Sequence, residues 1–249
     1  MGKNCKNLVP HIITYSMNKF FRLALFGAAL LMLCGFSPPA EPTFEGTSED
    51  VIFPSFNVNY SLLTPEEMRV WRLSIELEGS GGRGDDVDST GGTNGDPILN
   101  GAVFPRWEDV KMRYSINNYM AIVRGGLWVK GRAGFELFAG VGRIDLSLKA
   151  YFQDIYGYIR KSQYVIVSGA HITAPFPGPF NFYFRGMRLE NRYDVSLLTA
   201  ETGLNYPFSK NLNIYAGLRR WDYDYEGNRL RSDIRLNLSG YAAGLRLAF

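Results

Sequence analysis

Apolar and polar residues alternate with a period of two along most of the chain after about residue 55. Between Trp71 and Glu78 the odd positions are apolar and the even positions are polar or charged. Successive side chains of a β-strand point to opposite faces, so such a segment has one apolar and one charged face. The same alternation recurs in residues 211–218 and 233–238. The pattern predicts an all-β protein.

Short turn segments separate several of these strands, at residues 130–134, 177–179 and 209–211, whereas residues 79–107 form a long Gly- and Asp-rich connection. Tight turns that alternate with longer loops are typical of transmembrane antiparallel up-and-down β-barrels. We predict eight strands, an even number that returns both ends of the barrel to the same side. They are residues 68–79, 108–129, 135–152, 163–176, 180–189, 193–208, 211–226 and 232–249.

Two features leave the strand count and register open. Residues 56–62 also alternate, so residues 37–67 are either a periplasmic N-terminal segment or an extra strand. If residues 108–129 form two short strands, the extra strand makes ten. In the last strand the apolar positions change parity after Leu238, and a β-bulge near Ser239–Gly240 is predicted to restore one continuous outer face.

Residues 1–36 have the character of a signal peptide, because a basic start precedes a short apolar run. The run Leu23–Leu33 has 11 residues, too few for the ~20 of a spanning helix. Met17 begins a more typical signal than Met1. An uncleaved anchor and lipidation at Cys34 remain alternatives. The segment contains four basic residues and no acidic one, namely Lys3, Lys6, Lys19 and Arg22.

Composition narrows the function classes. The chain has 27 basic and 24 acidic residues, a net charge of +3. Without the four basic residues of the leader, the chain has 23 basic and 24 acidic residues, a net charge of −1. The absence of a basic surplus argues against a nucleic-acid partner. Both cysteines lie in the leader, so disulfides do not stabilise the rest. Because 46% of the residues are hydrophobic, disorder of the whole chain is excluded.

The charged positions of the alternating segments predict a charged barrel interior, because a soluble sandwich does not bury so many charges in its core. An eight-stranded lumen is narrow enough to be filled by side chains, so a salt-bridged plug is favoured over an anion-selective lining. The predicted inner-face charges are Arg72, Glu76, Arg113, Arg124, Glu136, Asp145, Lys149, Arg185, Glu201, Arg219 and Arg235. The residues predicted to face lipid are Trp71, Leu73, Ile75, Leu77, Phe180, Phe182, Phe184, Leu212, Ile214 and Leu218.

The end of the chain resembles the C-terminal signal of bacterial outer-membrane barrels. Gly244, Leu247 and the terminal Phe249 match that signal, whereas Ala242 stands where a polar residue is usual. The chain thereby resembles small barrels of the OmpA/OmpX-like type over about residues 68–249, in architecture and in this ending only. The resemblance implies insertion by the outer-membrane assembly machinery of a Gram-negative-type cell, and contact with outer-membrane lipid and lipopolysaccharide.

Catalytic and metal-binding candidates are weak. His171 is the one histidine beyond the leader and no nucleophile motif surrounds it, so we interpret it as a lumen or turn residue. Asp85, Asp86 and Asp88 are weak candidates for a calcium site, because the full loop spacing with a distal Glu is absent. We therefore expect no cofactor and no enzymatic activity.

The expected function is that of a monomeric, plugged outer-membrane barrel that anchors extracellular loops for envelope integrity or surface contact. A narrow, porin-like diffusion channel is the first alternative. A barrel enzyme that modifies lipid or cleaves protein is the second.

Overall fold

The computed structural model describes residues 43–62, 71–91, 96–129, 133–192, 194–226 and 233–249. The predicted signal peptide, its alternative start Met17 and Cys34 lie outside these residues. Within them every regular element is a β-strand, and no helix has the length and apolar character needed to cross a membrane.

Nine long strands form a closed barrel, and two short strands form a separate hairpin, β3 and β4. In chain order the strands are β1 (Thr43–Ser61), β2 (Trp71–Gly91), β3 (Ile98–Leu99), β4 (Ala102–Val103), β5 (Asp109–Val129), β6 (Ala133–Phe152), β7 (Ile155–Pro175), β8 (Asn181–Glu190), β9 (Val195–Pro207), β10 (Leu212–Tyr225) and β11 (Asp233–Ala248). The barrel order is β1-β11-β10-β9-β8-β7-β6-β5-β2, and β1 pairs with β2 to complete it.

The strand count is nine, so both predicted numbers, eight and ten, are wrong. The segment 108–129 contains the single strand β5, Asp109–Val129, and the additional strand is β1, within the 37–67 segment. The prediction for the ends of the barrel is also wrong. Because β1 and β11 pair in parallel, Thr43 lies beside Asp233, whereas Phe249 bonds to Asn59 and Ser61 at the opposite end of the barrel.

The predicted bulge lies in a different strand. The register between β10 and β11 runs without interruption from Tyr225 to Leu212. The irregularity is in β1, between Ser48 and Val51, where Asp50 has a φ of 58°. The extra residue lets the even-numbered Phe44 and the odd-numbered Phe53 both point inward. Opposite this bulge the chain needs a glycine, because a Cβ at Gly240 would lie 2.1 Å from the carbonyl oxygen of Val51.

The barrel has two halves of opposite character. We call the half that contains Phe249 and the turns at residues 176–180 and 208–211 the near half. The half that contains Thr43 and the turn at 153–154 is the far half. In the near half the outer face is apolar and the inner face is charged. In the far half the inner face is apolar and the outer face is polar.

The strand β11 shows this reversal. Ile234, Leu236 and Leu238 are buried inside the far half, whereas Tyr241 and Leu245 are exposed on the outside of the near half. The change of parity that suggested a bulge is therefore a change in which face is apolar, with the strand itself remaining regular.

A continuous apolar core fills the far half. Trp221 is fully buried there, with its ring centroid 4.9 Å from that of Phe53. Leu236, Leu238 and Tyr223 lie on the same inner face of neighbouring strands. Packing of this kind is what stabilises a small water-soluble barrel.

Substitution of Trp221 tests the core of the far half. We expect Trp221→Ala to lower the free energy of unfolding by about 3–5 kcal/mol, because it leaves a large cavity beside Phe53. Guanidinium unfolding in detergent, followed by intrinsic fluorescence, measures the loss. The neighbouring Arg220→Ala, on the exposed face, serves as control, and an equal loss in both variants would contradict this assignment of faces.

Candidate functional site: a buried charge network

Six strands bring charged side chains together inside the near half. They come from β2, β5, β6, β8, β9 and β10, each at a position whose neighbours along the strand point outward. The charged members are Glu76, Glu78, Arg124, Glu136, Arg185, Glu201 and Arg219, with His171 from β7 beside them. Each is at most 5% exposed, so their charges must be satisfied by one another.

Arg124 binds two carboxylates from neighbouring strands. Its Nη2 donates to Glu76 Oε1 at 2.6 Å, and its Nη1 donates to Glu136 Oε2 at 3.3 Å. His171 completes this part of the network, with Nδ1 3.0 Å from Glu136 Oε2 and 2.9 Å from Arg124 Nη1. Depending on its tautomer, that nitrogen donates to the carboxylate or accepts from the guanidinium.

Arg185 links the first carboxylate to a second one on the same strand. Its Nη1 donates a short hydrogen bond to Glu78, and its Nη2 lies 3.6 Å from Glu76 Oε1. The ring of Phe138 lies near both guanidinium groups, with Arg124 Cζ 5.2 Å and Arg185 Cζ 5.1 Å from the ring centroid. Arginine stacks well on aromatic rings, so this apolar side chain also stabilises charge.

Arg219 and Glu201 form the other end of the network. Arg219 donates two hydrogen bonds to Glu201 Oε2, the one from Nε measuring 2.9 Å, and its Nη2 lies 4.0 Å from Glu78 Oε1. The Tyr183 hydroxyl donates to Glu201 Oε1 at 2.5 Å. Asn57 and Asn59 of β1 donate to Glu78 at 3.5 Å and to Glu76 at 3.3 Å, respectively. The chain of contacts therefore crosses the whole lumen.

Little space remains between these groups. A cavity of about 20 Å³ is lined by residues that include His171, Thr173, Tyr183 and Arg246. This volume holds about one water molecule. Several buried polar atoms of the network lack a hydrogen-bond partner within the described chain, among them Arg124 Nε, Arg185 Nε and Thr173 Oγ1.

A hairpin plugs the far half. Strand β8 ends at Glu190, opposite Ile166, so the far part of β7 has no strand partner on that side within the described ranges. The hairpin of β3 and β4 packs there instead. Leu99 and Phe104 are buried against Gly157, and Phe104 makes an edge-to-face contact with Phe44 at 5.3 Å.

Comparison with known proteins adds no identification: no protein-family model, no curated protein and no solved structure matches the chain significantly. The OmpA/OmpX-like resemblance stays a prediction.

Most of the predicted inner-face charges do lie inside the barrel. The structure brings together Glu76, Arg124, Glu136, Arg185, Glu201 and Arg219, with Arg72 on the same face. Sequence reasoning missed Glu78, although its parity on β2 is that of Glu76. It also missed Tyr183 and the two asparagines of β1, because neither the pairing partner of β1 nor the depth of Tyr183 follows from the alternation alone.

Four of the predicted inner-face charges lie on the outer face instead, namely Arg113, Asp145, Lys149 and Arg235. All four belong to the far half, where the inner positions are apolar. Three of them make ion pairs on the surface. Arg113 Nε lies 2.7 Å from Asp85, Arg143 Nε 2.8 Å from Asp145, and Arg235 Nε 3.1 Å from Asp224.

The environment of the outer carboxylates changes their proton affinity. Burial raises the pKa of Asp224, although Arg235 acts in the opposite direction. Partial burial acts to raise the pKa of Asp145 as well. That pKa nevertheless lies below its usual value, because Ser162 and Arg143 form hydrogen bonds with the carboxylate.

The remaining predicted residues are placed as follows. Among the described residues no group of three potential ligands is arranged to hold a metal ion. Asp85 pairs with Arg113, and the side chains of Asp86 and Asp88 lie outside the described part, as does that of Trp71. The other residues predicted to face lipid lie on the outer face of the near half.

The residues of the predicted assembly signal lie at the end of β11. Gly244 lies against Ser55 and Tyr215, whose hydroxyl groups are 2.6 Å apart, and a Cβ at Gly244 would clash with the Tyr215 ring. Leu247 is on the outer face. Phe249 pairs its backbone with β1, which ties the end of the chain to the first strand.

Loss of Arg124 tests the network. We expect Arg124→Met to lower the free energy of unfolding by about 3–5 kcal/mol, because Glu76 and Glu136 would lose their shared cation in a buried site. Arg113→Met, on the other face of the same strand, removes an exposed pair and should cost at most about 1 kcal/mol. Chemical unfolding of the folded barrel in detergent compares the two. Similar losses of unfolding free energy in the two variants would contradict the inference that the buried charges depend on one another.

Proposed function

We propose that this chain is an exported outer-membrane β-barrel whose near half spans the bilayer and whose far half projects from it as a plugged, water-soluble extension. The protein carries its surface loops on this extension, for envelope integrity or surface contact, and has no enzymatic activity. The observation that carries the proposal is the apolar outer band of the near half together with the charged network inside it.

A band of exposed apolar side chains around a whole barrel is unlike the isolated apolar patches of ordinary soluble proteins. Large apolar side chains are exposed all around the near half, by 56% at Leu77, 49% at Val123, 58% at Leu137, 56% at Leu218 and 44% at Leu245. Exposed residues of this kind are favourable in hydrocarbon and unfavourable in water. Unpaired backbone groups are costly in hydrocarbon, and the closed sheet of the near half supplies the pairing.

The height of the band suits a bilayer. On β5 it runs from Leu127 to Tyr119, eight residues further along the strand. At a rise of ~3.4 Å per residue and a tilt of ~40°, this corresponds to roughly 20 Å along the barrel axis. Outer-membrane barrels have an apolar band about 25 Å tall.

Aromatic residues flank the band on both sides. Tyr119, Tyr164 and Tyr241 lie on the outer face at its far edge, and each is more than half exposed. At its near edge lie Phe180 and Tyr206, whose ring centroids are 5.5 Å apart, and at the same end of the barrel lie Tyr60, Phe176, Phe208 and Phe249. Girdles of amphipathic aromatic side chains at both interfaces are typical of barrels in membranes.

In the far half the distribution of apolar and polar side chains is the reverse of that in the near half. Its interior is apolar, as in a soluble barrel, and its exterior carries ion pairs such as Arg113–Asp85 and Arg188–Glu190. These features favour a position in water beyond the membrane. We place Phe249 at the periplasmic end, so that the far half faces the outside of the cell.

The lumen favours a plugged barrel over the two alternatives. Ion pairs fill the near half and apolar side chains fill the far half, so a diffusion channel would require both to move. A barrel enzyme would require a reachable base. His171 is 3% exposed and already engaged with Glu136 and Arg124, so no feature of the site favours catalysis.

Charge placed on the outer band tests the membrane proposal. We expect Leu137→Arg, near the middle of the band, to destabilise the barrel in phosphatidylcholine vesicles by about 2–4 kcal/mol. The matched Ser147→Arg, on the outer face of β6 in the far half, should have little effect. Urea titration in vesicles, with the gel-mobility shift between unheated and boiled samples as readout, measures both. Equal stability of the two variants would contradict a lipid-facing band.

Epitope tags test the orientation. A tag in the Gln153–Asp154 turn of the far half should be labelled by antibody on intact cells. A tag in the Ser209–Lys210 turn of the near half should be labelled only after the outer membrane is permeabilised. Both turns are exposed, so access depends on the membrane rather than on folding. The reverse labelling pattern would overturn the orientation, and no labelling of either tag before permeabilisation would overturn the surface location.

A further inference from the structure

A groove crosses the outer surface of the barrel at the level where the near half meets the far half. Its volume is about 1430 Å³, larger than the ~300–1,000 Å³ of ordinary small-molecule pockets. It runs across β1, β2, β5, β6 and β7 to the turn after β8. The outer side of a barrel is normally convex, so a concavity of this size needs a specific cause.

Small residues produce the groove. Gly79 and Gly81 of β2 and Ala121 of β5 lie on the outer face, where their neighbours along each strand are larger. The side chains of Tyr119 and Asn117 lie over these glycines: a Cβ at Gly79 would lie 3.4 Å from the Tyr119 ring, and one at Gly81 would lie 2.5 Å from Asn117 Oδ1. The glycines therefore let these two side chains lie close to the sheet, where they line the groove.

The groove is itself amphipathic. Towards the near half its walls are apolar, formed by Phe56, Leu77, Ala121, Val141 and Ile166. Towards the far half they are polar and include Arg143 and Arg192. Glu190 is the carboxylate on the outer side among the described residues that line this end, and it pairs with Arg188 at 2.8 Å.

Arg143 is positioned to receive an anion. Its Nε binds Asp145 at 2.8 Å and its Nη2 donates to Ser162 Oγ at 3.1 Å, which fixes the guanidinium at the rim. Its Nη1 makes no hydrogen bond with the described residues. A guanidinium held by two contacts loses little further freedom when it binds a phosphate oxygen.

We propose that the groove binds one phosphorylated lipid of the surrounding leaflet, with its acyl chains along the apolar walls and its anionic headgroup beside Arg143 and Arg192. The inference rests on the proposed membrane location, since it is the apolar band that places the apolar walls in hydrocarbon. The volume, the apolar walls at bilayer depth and the cationic end at the interface each match one part of such a lipid.

Photolabelling in vesicles tests this site. The folded chain is reconstituted with a trace of phosphatidylglycerol that carries a photoreactive acyl chain, and labelled residues are mapped by mass spectrometry. We expect labels to concentrate on groove residues such as Leu77 and Val141, and to be sparse at Ala216 and Leu218 on the opposite side of the barrel. Labels distributed evenly around the band, or cross-links to a second copy of the chain in the groove, would overturn the proposal.

Two matched pairs of variants make the test specific. Ala121→Trp fills the groove, whereas Ala216→Trp adds the same bulk to the outer face of β10. Arg143→Gln removes the cation at the rim of the groove. Arg220→Gln is its control, because Arg220 is paired in the same way, with the aspartate two positions further along its strand, Asp222, at 2.9 Å. We expect each groove variant to lower labelling in the groove by about tenfold, and each control to leave it unchanged.

The headgroup and the membrane location are tested separately. In the unmodified chain, a photoreactive phosphatidylcholine should label the groove less than the anionic probe does. In the Arg143→Gln variant the two probes should label the groove equally. Equal labelling by the two probes in the unmodified chain would overturn the role of the rim cations. If Ala121→Trp does not fold, Arg143→Gln, on the surface, still decides the outcome. Flotation of the chain with vesicles reports the membrane location alone. A chain that floats but shows no preferred label contradicts the groove, whereas one that fails to float contradicts the proposed function.

Discussion

Every side chain on the inner face of this barrel must find its partner inside the barrel, and the rest of the structure depends on this constraint. A closed sheet of nine strands leaves a lumen narrow enough for side chains to fill and too narrow for bulk water. Where the outer face is apolar, alternation sends the polar residues inward, and those residues must then neutralise one another. The contacts from Glu136 through Arg124, Glu76, Arg185 and Glu78 to Arg219 meet that requirement, because every charge in the series lies within 4.0 Å of one of opposite sign.

The first strand makes this closure possible. Residues from β1 pair with β11 in parallel and with β2 in antiparallel orientation, and Asn57 and Asn59 donate to the carboxylates of Glu76 and Glu78. One strand thus completes both the backbone ladder and the polar layer of the lumen. The backbone of Phe249 bonds to the same strand. The residues that resemble an assembly signal therefore lie in β11, at the pairing with β1 that closes the barrel.

The alternation of residues predicted the all-β class and most of the inner network, because Glu76, Arg124 and Glu201 share their strands with clear apolar partners on the other face. It failed where one rule was applied along a whole strand. The prediction that Arg113 and Lys149 line the lumen is wrong, because it takes charged positions to point inward along every strand. Alternation specifies which residues share a face but not which face is inside, and in the far half that choice is made by the burial of Ile116, Ile144 and Leu148. The strand count failed because the parallel pairing of β1 leaves no mark in its own sequence.

The reversal between the halves also explains why the groove lies where it does. On β6 the outer face ends its apolar series at Val141 and begins its charged series at Arg143, and between them Gly142 faces inward with no side chain. On β2 the outer face passes from Leu77 through Gly79 and Gly81 to exposed charges. At this level glycines take the place of larger side chains on both faces, Gly79 and Gly81 outside and Gly142 inside, because the apolar outer series of the near half ends here and the apolar inner series of the far half begins. The outer surface is concave at this level, where, in the proposed orientation, hydrocarbon meets water.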